Sequence, residues 1–317
     1  MPGGIAQTTK LDHGITAIDT EYERLLHDAS HLIVENGRAA FVDTGVNDSV
    51  PLLLNALSQQ DLDPGDVDYV FVTHVHLDHA GGAGTLMQAL PKAVCVLDPR
   101  AARHMIDPTR LVAGVEVVYG KERARAMYGV IQPIDEKRVE IGEDGNWFEL
   151  NGRPLQTLHT EGHARHHYIL NDPQSKGVFT GDCFGVSYRE FDTTEGETVF
   201  PTTTPVQFDP AEAHKAIDKI LALEPEQLFL THYSRVGNPG RLAEQMHEGI
   251  DAYVALTLEH KDDPERDQLL TAGLLSYYED RLGANGYTGG REAIGAIMSM
   301  EAELNAQGLV VWLDRQN

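Results

Sequence analysis

Apolar and polar residues alternate through positions 14 to 45, which predicts strands in "GITAID" and "SHLIVENGRAAFVDTG". Asn36-Gly37 interrupts the second run and supplies a type I′ hairpin turn. The spacing then becomes helical in "DSVPLLLNALSQQ", where Pro51 is tolerated in a first turn. "DVDYVFVTH" is a short buried strand, "AGGAGTLMQAL" a helix and "KAVCVLD" a further strand. The order β-β-α-β-α-β defines an α/β layered fold. Residues 99 to 130 carry helical spacing with a charged face in "GKERARAMYG". A strand-rich block follows from "RVEIGEDG" to "KGVFTGD", with turns at Asp144-Gly145, Asn151-Gly152 and Asn171-Asp172-Pro173.

Residues 186 to 209 have weak periodicity and many threonines, the composition of a long functional loop. Beyond them the spacing predicts a helix over 210–223, a strand in "EQLFLTH" and a helical tail from about residue 240. The apolar end of that tail, "GLVVWL", is expected to add an edge strand or to dock on the body. Residues 1–239 are expected to form the catalytic domain and 240–317 a mostly helical extension packed on it.

One stretch carries candidate chemistry. "THVHLDHAGG" places His74, His76, Asp78 and His79 directly after an apolar strand. Strand alternation points His74 and His76 the same way, and Asp78 and His79 follow in the turn. Gly81 and Gly82 let the chain turn without a Cβ obstructing the donors. Imidazole and carboxylate together suit zinc, iron, nickel or manganese. Four donors do not complete two sites, and "TEGHARHH", "TGDC" and "FLTHYS" bring His163, Asp182 and His232 to other strand ends.

In this set the chain resembles the metallo-β-lactamase superfamily: H-x-H-x-D-H before Gly-Gly, then T-x-G-H, G-D and a late T-H, in order over residues 30 to 233. "FVDTG" at 41 to 45 is similar to the family's early D-T-G segment. The resemblance implies an αββα sandwich with the site at the strand ends. It implies two divalent metal ions, zinc first, with iron or manganese as alternatives. By the same resemblance His74, His76 and His163 bind one ion, Asp78, His79 and His232 the other, and Asp182 bridges them. Asp43 either orients a ligand histidine from behind or caps the following turn. His167 stands where relatives often place a histidine or serine, which suggests substrate contact or support; ordinary strand packing is the alternative. Cys183, beside Asp182, is a buried small residue rather than a nucleophile.

The implied chemistry is metal-assisted hydrolysis. In that chemistry the ions would activate water against an electrophilic carbonyl or phosphorus, with Asp78 as the expected proton shuttle to the leaving group. The pattern is similar to the glyoxalase II and lactonase branch, so a small ester, thioester or lactone is the expected substrate. A phosphodiesterase or phosphotriesterase, or a catalytically weak metal-binding regulator of the same fold, is the alternative. Gly185 occupies the place of the lactonase tyrosine, which weakens the classical lactonase reading; Tyr188, slightly later, is the candidate substitute. Tyr188, Phe191, Phe200 and Phe208 are either an apolar wall for an acyl or aryl group or core beneath the loop. Arg241, Lys261, Arg266, Arg281 and Arg291 in the tail are scattered among acids and do not form a recognisable glutathione clamp.

Composition narrows the partners. Acidic residues outnumber basic ones by 49 to 25, a formal charge of −24 over 317 residues. A field of that sign repels nucleic acid and anionic membrane surfaces, leaving a small molecule as the partner. The helical tail is expected either to shield the cleft or to make a homodimer interface. Cys95 and Cys183 lack the spacing of a zinc ribbon or disulfide framework. "MPGGIAQTTKLDHG" has no basic segment before an apolar core, and no apolar run approaches the roughly 18 to 20 residues of a membrane span. The expected location is the cytoplasm.

Overall fold

The computed structural model describes residues 4–203 and 206–316. Residues 1–3 of the N-terminal stretch, residues 204 and 205 of the 186–209 segment, and residue 317 lie outside the described residues. The chain divides into two units. The first takes everything up to His159, then His166–Gly181 and Thr231–Ser234; the second takes Thr160–Arg165, Asp182–Leu230 and Arg235 onward.

In the first unit the predicted strands β2 (Ile15–Asp19), β3 (Ala29–Glu35) and β4 (Arg38–Val42) form an antiparallel meander, with β1 (Thr8–Lys10), which the pattern does not announce, at its edge. Asn36 and Gly37 join β3 to β4 with φ of 47° and 78°, the two positive values a type I′ turn demands. The pairing then turns parallel, because each return passes through helices. α1 (Val50–Ser58) precedes β5 (Val67–Phe71), and α2 (Leu77–Ala80) and α3 (Ala83–Ala89) precede β6 (Val94–Leu97). α4 (Pro99–Ile106), α5 (Thr109–Tyr119) and α6 (Lys121–Tyr128) precede β7 (Val139–Ile141). These strands lie in sequence order, β1 to β7.

One face of this sheet packs on α1, α3 and α4 in a core that includes Phe41, Leu53, Val70, Leu86 and Met105. Its other face meets an antiparallel set of β8 (Trp147–Leu150), β9 (Arg153–His159), β10 (Tyr168–Asp172) and β11 (Gly177–Gly181). Phe71 packs edge-on against Phe148 at 5.4 Å, and the Tyr168 hydroxyl donates to the Val96 carbonyl at 2.9 Å. Parallel strands covered on both sides are apolar, which is why β6, and β5 from Tyr69 onward, read as continuous hydrophobic runs.

His31 on β3 lies between these sheets, its ring 5.3 Å from that of Phe179 and its Nε2 3.3 Å from the Ser234 hydroxyl. Burial pushes its pKa down to about 4, against a smaller opposing pull from Asp43. A folded pKa below the unfolded 6.5 means that stability is complete above pH 6.5 and falls as pH drops toward 4. About 3 kcal/mol is expected to be lost across that window, at ~1.36 kcal/mol per pH unit. Urea unfolding of the wild type and His31→Gln checks this: the variant should lose correspondingly less stability between pH 6.5 and 4.

The second unit holds α7 (Pro210–Leu221), β12 (Gln227–Leu230), most of β13 (Ser234–Gly237), α8 (Pro239–Glu259), α9 (Arg266–Ala284) and α10 (Gly290–Asp314). The "GLVVWL" end is helical in α10, not an edge strand. Its β-branched residues favour a strand locally, but Leu309, Trp312 and Leu313 fall on one helical stripe and are all buried. Among the described residues no helix is long and apolar enough to cross a membrane.

Candidate metal centre

The chain leaves β5 at Phe71, bends at Thr73, and reaches His76, whose extended backbone leads directly into α2. His74 Nε2 and His76 Nδ1 face one another at 2.8 Å, with ring centroids 4.4 Å apart. Asp78 and His79 lie in the single helical turn of α2 rather than in a non-helical turn. Gly81 and Gly82 do permit the tight passage, but through close approach and not through a positive φ. A Cβ would lie 2.3 Å from the Leu77 carbonyl oxygen at Gly81, and 2.7 Å from that of Val46 at Gly82.

Two buried carboxylates set the directions of two imidazoles. Asp43 Oδ2 accepts from His79 Nδ1 at 2.8 Å and from the Thr231 hydroxyl at 2.8 Å. Its Oδ1 accepts the Thr73 backbone N–H at 2.8 Å, so the aspartate cannot rotate away. Asp28, which the sequence reading does not single out, stands 2.6 Å from His232 Nδ1 through its Oδ1. His79 Nδ1 donates to Asp43, and His232 Nδ1 meets the His27 carbonyl at 3.2 Å with the Asp28 charge beside it, so each ring turns the lone pair of Nε2 the other way. Both Nε2 atoms point to one place: His79 Nε2 is 3.7 Å and His232 Nε2 3.6 Å from Asp78 Oδ2. These three donors lie within 4.8 Å of one another, the set a borderline divalent cation takes. His167, also buried, packs its ring 4.9 Å from that of His74.

In the second unit His163 Nε2 and Asp182 Oδ2 are 3.4 Å apart and both residues are buried. Gly162 has φ +117°, and a Cβ there would lie 2.4 Å from the Ala213 nitrogen, so only glycine brings the chain to His163 along this path. His163 and Asp182 line a narrow cavity with Pro201, Phe208, Met246 and Ile250. Tyr188, Phe191 and Phe200 are buried, and the Tyr188 hydroxyl donates to Glu301 at 2.5 Å. Burial pushes the thiols of Cys95 and Cys183 up to about 12, which suppresses the reactive thiolate. The tail cations all stand near carboxylates: Arg241 by Glu197, Lys261 by Asp262, Arg266 by Asp314, Arg281 by Glu248 and Arg291 by Glu279.

Two tyrosines and a pocket near Asp78 carry no signal in the sequence. The Tyr22 and Tyr128 hydroxyls are 3.3 Å apart. Burial, reinforced by the negative charge of Asp78, raises both above the ordinary phenol range and keeps them protonated. Tyr128 also lines a pocket of about 170 Å³ with Leu77, Val112, Val115 and Ile131, and Lys121 and Arg125 add charge to its wall.

Sheets packed face to face, with imidazoles and carboxylates gathered where strands end, define a metal-binding α/β sandwich protein. A profile of the metallo-beta-lactamase superfamily matches residues 26–232, and the chain belongs to that superfamily. Its fold is the family's sandwich, followed by C-terminal helices. The metallo-beta-lactamase fold-containing protein ST1585 of Sulfurisphaera tokodaii is 27% identical over 176 residues, 52% of this chain and 60% of that protein. The solved structure of ST1585 superposes with a TM-score of 0.65 at 21% identity, covering 97% of this chain and 100% of the other. A hydroxyacylglutathione hydrolase of Ruegeria pomeroyi is 24% identical, with 53% of this chain matching 49% of the relative. The N-acyl homoserine lactonase AttM of Agrobacterium fabrum is 24% identical, with 48% of this chain matching 59% of the relative. In sequence the chain thus spans about half to six-tenths of the length of these curated relatives.

Proposed function

We propose that the chain is a dinuclear metal-dependent hydrolase of a small ester, thioester or lactone. His74, His76 and His163 hold one ion in this assignment, Asp78, His79 and His232 the other, and Asp182 spans both. The observation that carries it is the pair of carboxylate-backed imidazoles, Asp43–His79 and Asp28–His232, aimed at Asp78. Surface histidines without a ligand do not need two buried acids to fix their tautomers. The ions, zinc in the first instance, supply Lewis acidity that activates water and polarises the scissile carbonyl.

The chain's own residues do the rest. The Asp43 carboxylate holds His79, and the His27 carbonyl with the Asp28 charge beside it holds His232, each with Nε2 deprotonated. Asp78, 22% exposed where His79 is 0% and His232 7%, meets solvent and is placed to pass a proton to the leaving group. The pocket beside Leu77 and Tyr128 accepts the acyl portion, and Lys121 and Arg125 favour an acyl group that bears an anionic substituent. Acyl chemistry is also what the names of the hydroxyacylglutathione hydrolase and the acyl homoserine lactonase describe.

The test is metal analysis with a panel of ester, thioester, lactone and phosphodiester substrates. About two ions per chain, turnover of an acyl substrate, and loss and recovery of that turnover on chelation and zinc addition are expected. Turnover confined to phosphodiesters overturns the substrate class, and full metal occupancy without any turnover overturns the enzyme. Asp28→Asn is expected to weaken metal binding by about 10–100-fold, because the negative charge 2.6 Å from His232 Nδ1 is lost. Zinc titration against a chelating indicator measures this, and an unchanged affinity removes Asp28 from its orienting role.

A further inference from the structure

A second histidine–aspartate cluster lies on the surface of the second unit. His214 and Asp218 are one helical turn apart on α7, and His247 and Asp251 are one turn apart on α8. The pairs cross between the helices: His214 Nε2 is 3.2 Å from Asp251 Oδ1, and His247 Nε2 is 3.3 Å from Asp218 Oδ1. The two Nδ1 atoms stand 2.6 Å apart. The ring centroids are 4.9 Å apart and the planes are within 10° of parallel. That centroid separation exceeds the nitrogen separation by two centroid-to-nitrogen lengths, so the rings meet edge to edge with Nδ1 facing Nδ1.

The chemistry of this geometry is restrictive. A carboxylate beside each Nε2 places the ring proton there, which leaves a lone pair on each Nδ1. Two lone pairs directed at one another repel unless something positive lies between them. The same juxtaposition of imidazole nitrogens occurs between His74 and His76 at 2.8 Å, and a carboxylate behind the ring occurs at His79. Both rings are about 30% exposed, so an ion reaches them from solvent without any opening of the fold.

We infer that His214 and His247 form a surface site for a borderline transition-metal dication such as zinc, nickel or copper, separate from the centre described above. Nitrogen donors select this class over magnesium or calcium. Zinc–nitrogen bonds of about 2.0–2.1 Å require the two Nδ1 atoms to separate somewhat, a rotation available to half-exposed side chains. Water completes the coordination, and Asp218 and Asp251 stay behind the rings at Nε2. A bound ion ties α7 to α8 and so stabilises the folded second unit.

The experiment uses untagged protein already loaded at its buried centre, with zinc chloride as the probe. Isothermal titration is expected to show one further zinc per wild-type chain, and none in the double variant His214→Gln/His247→Gln. Added zinc should raise Tm by several degrees in the wild type only, and the wild type should bind a nickel column more tightly than the variant. Hydrolytic activity should be the same in both. Equal zinc stoichiometry and equal thermal response in the two proteins overturn the site. Asp218→Asn/Asp251→Asn is the second variant, used if the histidine variant does not give the circular dichroism of the wild type. It keeps both ligands and is expected to weaken zinc binding by about 10–100-fold; unchanged affinity there also overturns the site.

Discussion

Asp182→Ala is expected to lower kcat/KM by about 10³-fold or more. In the proposed centre this carboxylate is shared by both ions, so its loss disturbs the spacing that activates water and the charge that meets the developing oxyanion. Several kcal/mol of transition-state stabilisation is at stake, and each 1.36 kcal/mol is about tenfold in rate. The alanine leaves no steric conflict in the cavity lined by Pro201 and Met246, so the fold should survive. Steady-state kinetics, metal content and circular dichroism on one preparation make the test. A native spectrum with an unchanged rate removes the bridging assignment.

Asp43→Ala is expected to cost about 3–5 kcal/mol of folding stability, measured by urea unfolding of metal-free protein. The two oxygens of Asp43 receive the Thr73 N–H, the Thr231 hydroxyl and His79 Nδ1, all buried. Alanine strands each of these donors in a low-dielectric interior, where an unsatisfied polar group costs roughly 1–3 kcal/mol. Stripping the metal before measurement separates this term from the loss of ligand linkage. A change below 1 kcal/mol would mean that water enters and replaces the carboxylate.

What the sequence made legible was local. His74, His76, Asp78 and His79 share one strand end, and a spacing of a few residues predicts their proximity. Asn36-Gly37 declared the β3–β4 hairpin because only a few residue types accept two positive φ values. β1 was missed because Thr8–Lys10 has no apolar alternation, its side chains being exposed or half-buried. The strand-like composition of "GLVVWL" misled because propensity is a weak prior beside burial on a long helix. Asp28 escaped notice for a different reason: its meaning lies in His232, far along the chain, and a lone aspartate before a strand looks like any turn residue. The pocket beside Tyr128 is likewise a product of α5 and α6 folding back, which no motif encodes.

The long sequence separations inside the first unit bear on how the protein is made. The Thr231 hydroxyl reaches Asp43 across 188 positions, and His232 Nδ1 meets the His27 carbonyl across 205. At about 5–20 residues per second, a ribosome releases Asp28 and Asp43 roughly 10–40 s before their last partners. Through that interval Asp28 waits without His232 and Asp43 with only Thr73 and His79 of its partners, so the pocket closes only when the later strand end arrives. A nascent chain halted before Thr231 should therefore retain no zinc at His79, and capture on a metal-sensing dye would show otherwise.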